Sequence, residues 1–125
     1  MRVLLDTHVL LWSLADDPKL SANARRLIEG ATDIYVSSAS YWELAIKIGL
    51  GKLAADLAEI RLNAEQSGYL EVPVTGEHAQ ATLLLANHHK DPFDRLIIAT
   101  AITEPMRLLT ADSIVAQYTE LATLI

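Results

Sequence analysis

The sequence predicts one α/β domain in which helices cover both faces of a parallel sheet. Short apolar segments alternate with stretches of helical periodicity along all 125 residues, and no internal repeat, low-complexity tract or linker interrupts them. A hydrophobic share of 51% with few aromatic residues is sufficient for one aliphatic core. Strands separated by helices pair in parallel through right-handed crossovers. We therefore expect a single domain that spans residues 1–125.

The first half of the chain contains two predicted strands and four predicted helices. In order, they are the strand Arg2–Leu5, the helices Thr7–Ala15 and Ser21–Glu29, the strand Asp33–Ser37, and helices from Ser38 or Ser40 to Lys47 and from Ala54 to Gln66. Caps and breakers mark their ends, because Ser21 can accept the first amide groups of a helix, while Pro18 and Gly30 end the helices before them.

Three strands and two helices are predicted in the second half. They are the strand Tyr69–Val74, the helix Glu77–His88, a helix that begins at Asp91, and the strands Met106–Thr110 and Leu121–Ile125. The helix at Asp91 has the clearest start, because Asp91 can cap it, Pro92 suits its first position and Asp94 falls in its first turn. The apolar run Leu96–Ala101 would bury that helix on nearly all sides and hold its first turn rigidly.

Composition limits the functional classes. The chain has no cysteine, which excludes disulfides, thiol chemistry and cysteine-based zinc sites and suits a reducing cytoplasm. No apolar run approaches about 18 residues, and Met1–Asp6 reaches an acid too soon for a signal peptide, so we expect a cytoplasmic protein without a membrane span. The net charge of −6 argues against a generic electrostatic nucleic-acid binder but leaves room for an enzyme that reaches nucleic acid through metal ions.

Two aspartates follow predicted strands directly. Asp6 stands immediately after the first strand and Asp112 just past the fourth. Ligand sites in open parallel sheets form beyond the carboxyl ends of the strands, so both residues are candidates for a functional site. The alternative for each is a helix cap or a turn aspartate. The hydroxyls of Thr7 and Ser113, which follow them, could support ligands or cap helices.

Glu43 and Asp94 are two further candidate acids, and each has a structural alternative. Glu43 lies within an apolar helix whose expected packed face comprises Ala39, Trp42, Ala45, Ile46 and Gly49, which places Glu43 at the margin of that face. Its alternative is an exposed i,i+4 pair with Lys47. Asp94 in a first helical turn would complement the helix dipole. Asp91 is better explained as the N-cap of the same helix.

Carboxylates gathered at one sheet edge would require cations to offset their mutual repulsion. Oxygen ligands without cysteine suit Mg²⁺ or Mn²⁺ better than zinc or copper, and Mg²⁺ typically binds through a few carboxylates together with substrate phosphates. Such an ion can activate water for phosphodiester hydrolysis and neutralise the charge that develops. The acids therefore favour a metal-dependent hydrolase.

At the level of motifs, the chain resembles a PIN domain of the VapC type, the toxin class of bacterial toxin–antitoxin pairs. The matching motifs occur in the family's order, and together with the alternating elements they cover essentially the whole chain. They are LLDTH (Leu4–His8), SYWELAIK (Ser40–Lys47) continuing to LGKL (Leu50–Leu53), HKDPFDRLI (His89–Ile97) and LLTAD (Leu108–Asp112).

The resemblance implies a Mg²⁺- or Mn²⁺-dependent endoribonuclease that inhibits translation and leaves a 5′-phosphate and a 3′-hydroxyl. The family's acidic quartet carries over to Asp6, Glu43, Asp94 and Asp112 as catalytic metal ligands, with Asp91 of the DPFDR subgroup as a secondary residue. The implied fold is a three-layer α/β/α sandwich around a central parallel sheet of four to five strands. The implied partners are RNA, a VapB-type antitoxin that blocks the active site, and a second copy of the chain in a homodimer.

Other side chains are weaker candidates. A catalytic base among the histidines would most readily be His8, which is close to Asp6 in sequence; the others are His78, His88 and His89. Three cations could bind RNA phosphates or simply form salt bridges, namely Lys47, Lys90 and Arg95. Three aromatic residues could stack on bases, although core packing or an antitoxin groove is favoured, namely Trp12, Trp42 and Phe93. Apolar helices near Val9–Leu14 and Trp42–Leu53 would suit such a groove.

Two alternative functions come from different classes. One is an aspartyl-phosphate phosphatase with Asp6 as its nucleophile. Such enzymes generally have a second aspartate two positions on, where this chain has His8. The other is a non-catalytic PIN-like module that binds RNA or protein, which the acidic balance and the apparently complete quartet disfavour.

Overall fold

The computed structural model describes residues 1–88 and 90–125, which form a five-stranded parallel sheet between two layers of helices. The strands are β1 (Arg2–Leu5), β2 (Asp33–Ser37), β3 (Leu70–Val72), β4 (Arg107–Thr110) and β5 (Ala122–Leu124). Their order across the sheet is β3-β2-β1-β4-β5, and every neighbouring pair is parallel. The predicted fold class is confirmed.

The helices pack on both faces of this sheet. They are α1 (Thr7–Ala15), α2 (Ala22–Glu29), α3 (Ser38–Gly49), α4 (Leu57–Gln66), α5 (Gly76–Ala81), α6 (Pro92–Thr103) and α7 (Ser113–Ala116). One core cluster joins the sheet to α1 through α4, and a second joins it to α6 and α7 through Ile97, Ile98 and Val115. In the described part of the chain, no helix combines the length and apolar character needed to cross a bilayer.

The order of the strands places the functional candidates. From β1 the chain moves outward through β2 and β3, and it then returns to add β4 and β5 on the other side of β1. The carboxyl ends of β1 and β4 therefore flank the point where the winding direction reverses, which is where open α/β sheets bind ligands. Leu5 of β1 pairs with Leu109 of β4, and the Asp6 amide donates to the Leu109 carbonyl at 3.1 Å.

Several boundaries differ from the predicted ones for local reasons. Helix α3 is capped by Ser37, one residue before the earlier of the two predicted starts. Helix α4 begins at Leu57 rather than Ala54, because the side chain of Asp56 accepts its first amide groups. Strand β3 stops at Val72, since Pro73 has no amide hydrogen to donate. The short helix α7, which Asp112 caps, was absent from the predicted elements.

The predicted helix Glu77–His88 is wrong beyond Ala81. Helix α5 ends there, and a 3₁₀ turn follows over Thr82–Leu84. The guanidinium of Arg95 donates to the carbonyls of Thr82 and Ala86 at 2.9 and 3.1 Å. These carbonyls bond to a distant side chain instead of continuing the helix.

The predicted packed face of α3 is wrong at every position except Ala39, which is buried. Trp42 and Ile46 are 60% and 39% exposed, and Ala45 and Gly49 are exposed as well. The buried side is instead formed by Ala39, Ser40, Glu43 and Leu44. Two of these four residues are polar, so a count of apolar residues selects the opposite side of the helix. Glu43 consequently faces the protein interior.

Candidate active site

The carboxylates predicted from the sequence line one cavity at the carboxyl edge of the sheet. Its volume is about 250 Å³. The residues that line it are Asp6, Thr7, His8, Glu43, Lys47, Asp91, Asp94 and Asp112. The fold therefore brings together acids that are separated by more than one hundred positions between Asp6 and Asp112.

Asp6 is fixed by the start of α1. Its Oδ1 accepts the Val9 amide at 2.9 Å as the N-cap, and the Thr110 hydroxyl is a further hydrogen-bond partner. The residue is only 7% exposed. Burial raises the pKa of Asp6 above its usual value, whereas the bonds from Thr110 and Val9 act in the opposite direction. A cation bound nearby would favour the charged form of this carboxylate.

Glu43 is held at both carboxylate oxygens. The Thr7 hydroxyl donates to Oε1 at 2.7 Å, and the Lys47 ammonium lies 3.0 Å from Oε2. The Ser40 hydroxyl is 3.0 Å from that of Thr7 and extends this buried network. The pair with Lys47 suggested by the i,i+4 spacing does form, but it is not the exposed pair of the alternative interpretation, because Glu43 is 7% exposed.

Asp91 and Asp94 lie three residues apart at the start of α6 and have different roles. Asp91 caps α6, and its Oδ1 accepts the amides of Phe93 and Asp94 at 2.9 and 3.3 Å. Asp94 lies in the first turn and lines the cavity. The favoured interpretation of Asp91 as an N-cap is confirmed. Because Asp91 caps the helix, Asp94 is not required for that role.

Asp112 caps α7 through its Oδ1, which accepts the Ile114 amide at 2.8 Å. Its own amide donates to the Thr110 hydroxyl at 3.0 Å, so Thr110 connects it to Asp6. A second cavity of about 460 Å³ adjoins the first and shares Asp6, His8 and Asp112 with it. Trp12 lines this second cavity. The two cavities together extend the acidic site along the edge of α1.

The candidate ligands in this cavity are carboxylates, and carboxylate oxygens suit a hard divalent cation. Among residues 1–88 and 90–125, however, no three His, Cys, Asp or Glu side chains are already placed to hold an ion. Several of the acids are instead engaged as helix caps or, at Glu43, with Thr7 and Lys47. A bound ion would therefore compete with these contacts for the carboxylate groups.

The other candidate residues differ in whether they line the acidic cavity or make structural contacts elsewhere. His8 lies on α1, lines both cavities and is exposed. His78 is buried, accepts the Thr75 amide and lies 2.5 Å from Glu104, so its role is structural. Arg95 is engaged with the backbone of Thr82 and Ala86.

Three further candidates lie outside the cavity or outside the described residues. The His88 ring is 5.1 Å from that of Tyr118. Lys90 lines a separate cavity beside α6. His89 lies outside the described residues.

Thr110 and Ser40 are site residues that sequence reasoning did not single out for these roles. Beyond their membership of the LLTAD and SYWELAIK motifs, the sequence indicates Thr110 as the end of a strand and Ser40 as a possible helix start. The available signal for Thr110 was its position at the end of a strand two residues before Asp112. For Ser40, no local pattern indicates that it meets a residue 33 positions away.

We expect Thr7→Val to lower the free energy of unfolding by about 1–3 kcal/mol, because it removes a hydrogen-bond donor from a buried carboxylate. Valine preserves the shape of the side chain, so packing contributes little to this change. Urea unfolding in EDTA measures the effect. Thr7→Ser keeps the hydroxyl and should lose much less stability; an equal loss in both variants would contradict the importance of the Thr7–Glu43 bond.

Comparison with known proteins supplies two findings at the level of sequence. The family model described as PIN domain matches residues 3–121. Ribonuclease VapC22 of Mycobacterium tuberculosis (strain ATCC 25618 / H37Rv) is 35% identical over 121 residues, an alignment that covers 88% of this chain and 86% of the relative.

Solved structures share the fold at lower identity. The VapBC2 structure from Rickettsia felis, bound to a DNA fragment from its promoter, aligns with a TM-score of 0.69 at 18% identity and covers 100% of this chain and 98% of its own. A toxin–antitoxin complex from Klebsiella pneumoniae gives a TM-score of 0.65 at 18% identity, with coverage of 97% and 95%. FitAcB from Neisseria gonorrhoeae also gives 0.65 at 18%, with coverage of 98% and 96%.

Proposed function

The chain belongs to the PIN-domain family, and from that premise we propose that it is a Mg²⁺- or Mn²⁺-dependent endoribonuclease that acts as the toxin of a toxin–antitoxin pair. The observation that carries the proposal is the single cavity lined by Asp6, Glu43, Asp94 and Asp112. The 35% identity to a VapC ribonuclease supports the RNA substrate. Inhibition of translation would follow from cleavage of an RNA that translation requires.

The proposed metal ligands are Asp6, Glu43, Asp94 and Asp112, with Asp91, the N-cap of α6, in a supporting role. Their fit rests on donor chemistry, because carboxylate oxygens are the ligands that Mg²⁺ and Mn²⁺ prefer. When bound, such an ion would supply Lewis acidity that offsets the negative charge on the reacting phosphate. Without it, the carboxylates would repel an RNA phosphate.

In the proposed reaction, water adds to the phosphorus of a phosphodiester and the bond from phosphorus to O3′ breaks. The 3′ oxygen receives a proton, which leaves a 3′-hydroxyl and a 5′-phosphate. The residues of this chain contribute position: helix caps hold Asp6 and Asp112, while the Thr7 hydroxyl holds one oxygen of Glu43. Rigid placement of the charges before the reaction is what makes them effective.

The proposed partners besides RNA are a VapB-type antitoxin and a second copy of the chain. Helix α3 supports a protein partner, because Trp42, Ile46 and Leu50 are 60%, 39% and 66% exposed at a spacing of four residues. Such a stripe suits an apolar helix laid against it. Of the two helices expected to form a groove, α1 contributes less, since Val9 and Leu10 are fully buried in the core.

We expect the purified protein to cleave RNA in Mg²⁺ or Mn²⁺ and to lose that activity to background in EDTA, because the acidic cavity repels phosphate without a cation. Excess Mn²⁺ should restore cleavage. Denaturing gels measure the loss, and enzymatic ligation of the fragments identifies the 5′-phosphate ends.

Three outcomes would contradict the proposal. Undiminished cleavage in EDTA would show that the reaction does not need a metal ion. Phosphatase activity without RNA cleavage would favour the aspartyl-phosphate alternative, with Asp6 as the nucleophile. RNA binding without cleavage in either metal would favour a non-catalytic module.

A further inference from the structure

Among the described residues that line the acidic cavity, Lys47 is the only lysine or arginine, and it shares the cavity with five carboxylates. It lies one helical turn after Glu43 on α3, with its Nζ 3.0 Å from Glu43 Oε2. Pairs at this spacing on an exposed helix surface contribute only a few tenths of a kcal/mol. Here the Glu43 side chain is mostly buried and shares a cavity with other acids, so the ammonium offsets a negative charge that water screens less than at an exposed surface.

The two members of this pair differ in their access to solvent. The Glu43 side chain is 9% exposed, and that of Lys47 is 38% exposed. The ammonium is on a flexible four-carbon stem and can withdraw into water. The carboxylate cannot follow it, because the Thr7 hydroxyl holds Oε1 at 2.7 Å. The cation beside Glu43 can therefore change while the carboxylate stays in place.

We propose that Lys47 is a positioning residue that neutralises Glu43 in the metal-free protein and yields this carboxylate to the divalent cation, a role that rests on the proposed metal-dependent function. Two cations cannot share the same carboxylate without repelling each other. Lys47 thus stabilises the metal-free site and weakens the affinity for the ion. The predicted change in affinity distinguishes this role from a purely structural one, in which removing Lys47 would disorder Glu43 and lower the affinity.

The test measures Mn²⁺ binding by isothermal titration calorimetry on RNA-free protein. Lys47→Met should lower the Kd for Mn²⁺ by on the order of tenfold, because a positive charge near the ion is removed. Lys52→Met is the matched control, since Lys52 is exposed and does not line the cavity, and its Kd should stay close to that of the parent. Lys47→Arg keeps the charge and should also stay close to the parent.

Thermal unfolding supplies the second readout. In EDTA, Lys47→Met should unfold at a lower temperature than Lys52→Met, and saturating Mn²⁺ should raise its unfolding temperature by more. Lys47→Gln gives the same comparison if the methionine variant fails to fold.

The outcomes separate this inference from the proposed function. The role of Lys47 is overturned if the Kd of Lys47→Met for Mn²⁺ is equal to or larger than that of Lys52→Met. If the parent protein also binds Mn²⁺ and cleaves RNA, the proposed function stands. A parent protein that binds no Mn²⁺ overturns both.

Discussion

Asp94→Asn is expected to lower kcat/KM for RNA cleavage by about a thousandfold while the protein stays folded. A metal ligand contributes several kcal/mol of transition-state stabilisation, and each 1.36 kcal/mol corresponds to about a tenfold change in rate. Asparagine has nearly the same shape as aspartate, and the α6 cap is made by Asp91 rather than Asp94. Single-turnover cleavage of a labelled RNA, with circular dichroism as a check on folding, measures the effect.

Asp91→Asn is the matched control for this prediction. It removes the same charge from the same cavity, and asparagine caps a helix as well as aspartate does. We expect its kcat/KM to fall by no more than about tenfold, since a carboxylate that caps a helix and does not bind the ion acts only through the general field of the cavity. A larger loss in Asp91→Asn than in Asp94→Asn would reverse the roles given to the two residues.

Much of the fold follows from patterns that are local in the sequence. The segments around Leu5 and Leu109 are short and apolar, and helical stretches separate the strands, so parallel pairing was predictable. Helix starts were predictable where the cap has a side chain suited to the role, as at Ser21 and Asp91. The end of α5 was not, because the 3₁₀ turn that follows it bonds through the Thr82 carbonyl to the side chain of Arg95, which lies 13 positions away in the sequence.

Asp6, Asp94 and Asp112 were identifiable because each follows a strand or lies in the first turn of a helix, positions that a parallel sheet places at one edge, whereas Glu43 was identifiable only as an acid within an apolar helix. The residues that hold these acids in place were not identifiable from the sequence. The bond from Thr7 to Glu43 joins residues 36 positions apart, and it is what turns Glu43 toward the interior. Hydrophobic periodicity assigned the opposite face of α3 to the core, because it weighs Trp42 without accounting for a polar network beneath the helix. Burial of a polar side chain depends on its partner, which the local sequence does not contain.

Ile98→Ala is expected to lower the free energy of unfolding by about 2–5 kcal/mol, because it leaves a cavity where α6 meets the sheet. Ile98 is fully buried in the cluster that includes Leu4 and Leu108, and it lies one turn after Asp94. Urea unfolding in EDTA measures the loss. Helix α6 carries Asp94 in its first turn, so loosening its anchor should also raise the Kd for Mn²⁺.

Ile102→Ala is the matched control. It makes the same substitution on the same helix at a position that is 42% exposed, and so it separates the loss of buried packing from the effect of replacing isoleucine with alanine in a helix. Its loss of stability should stay below about 1 kcal/mol, since alanine favours the helix and little buried volume is removed. Equal losses in the two variants would show that α6 is not held by its buried face. A large loss confined to Ile98→Ala, together with weaker Mn²⁺ binding, would mean that packing beneath α6 fixes the position of the carboxylate at its start.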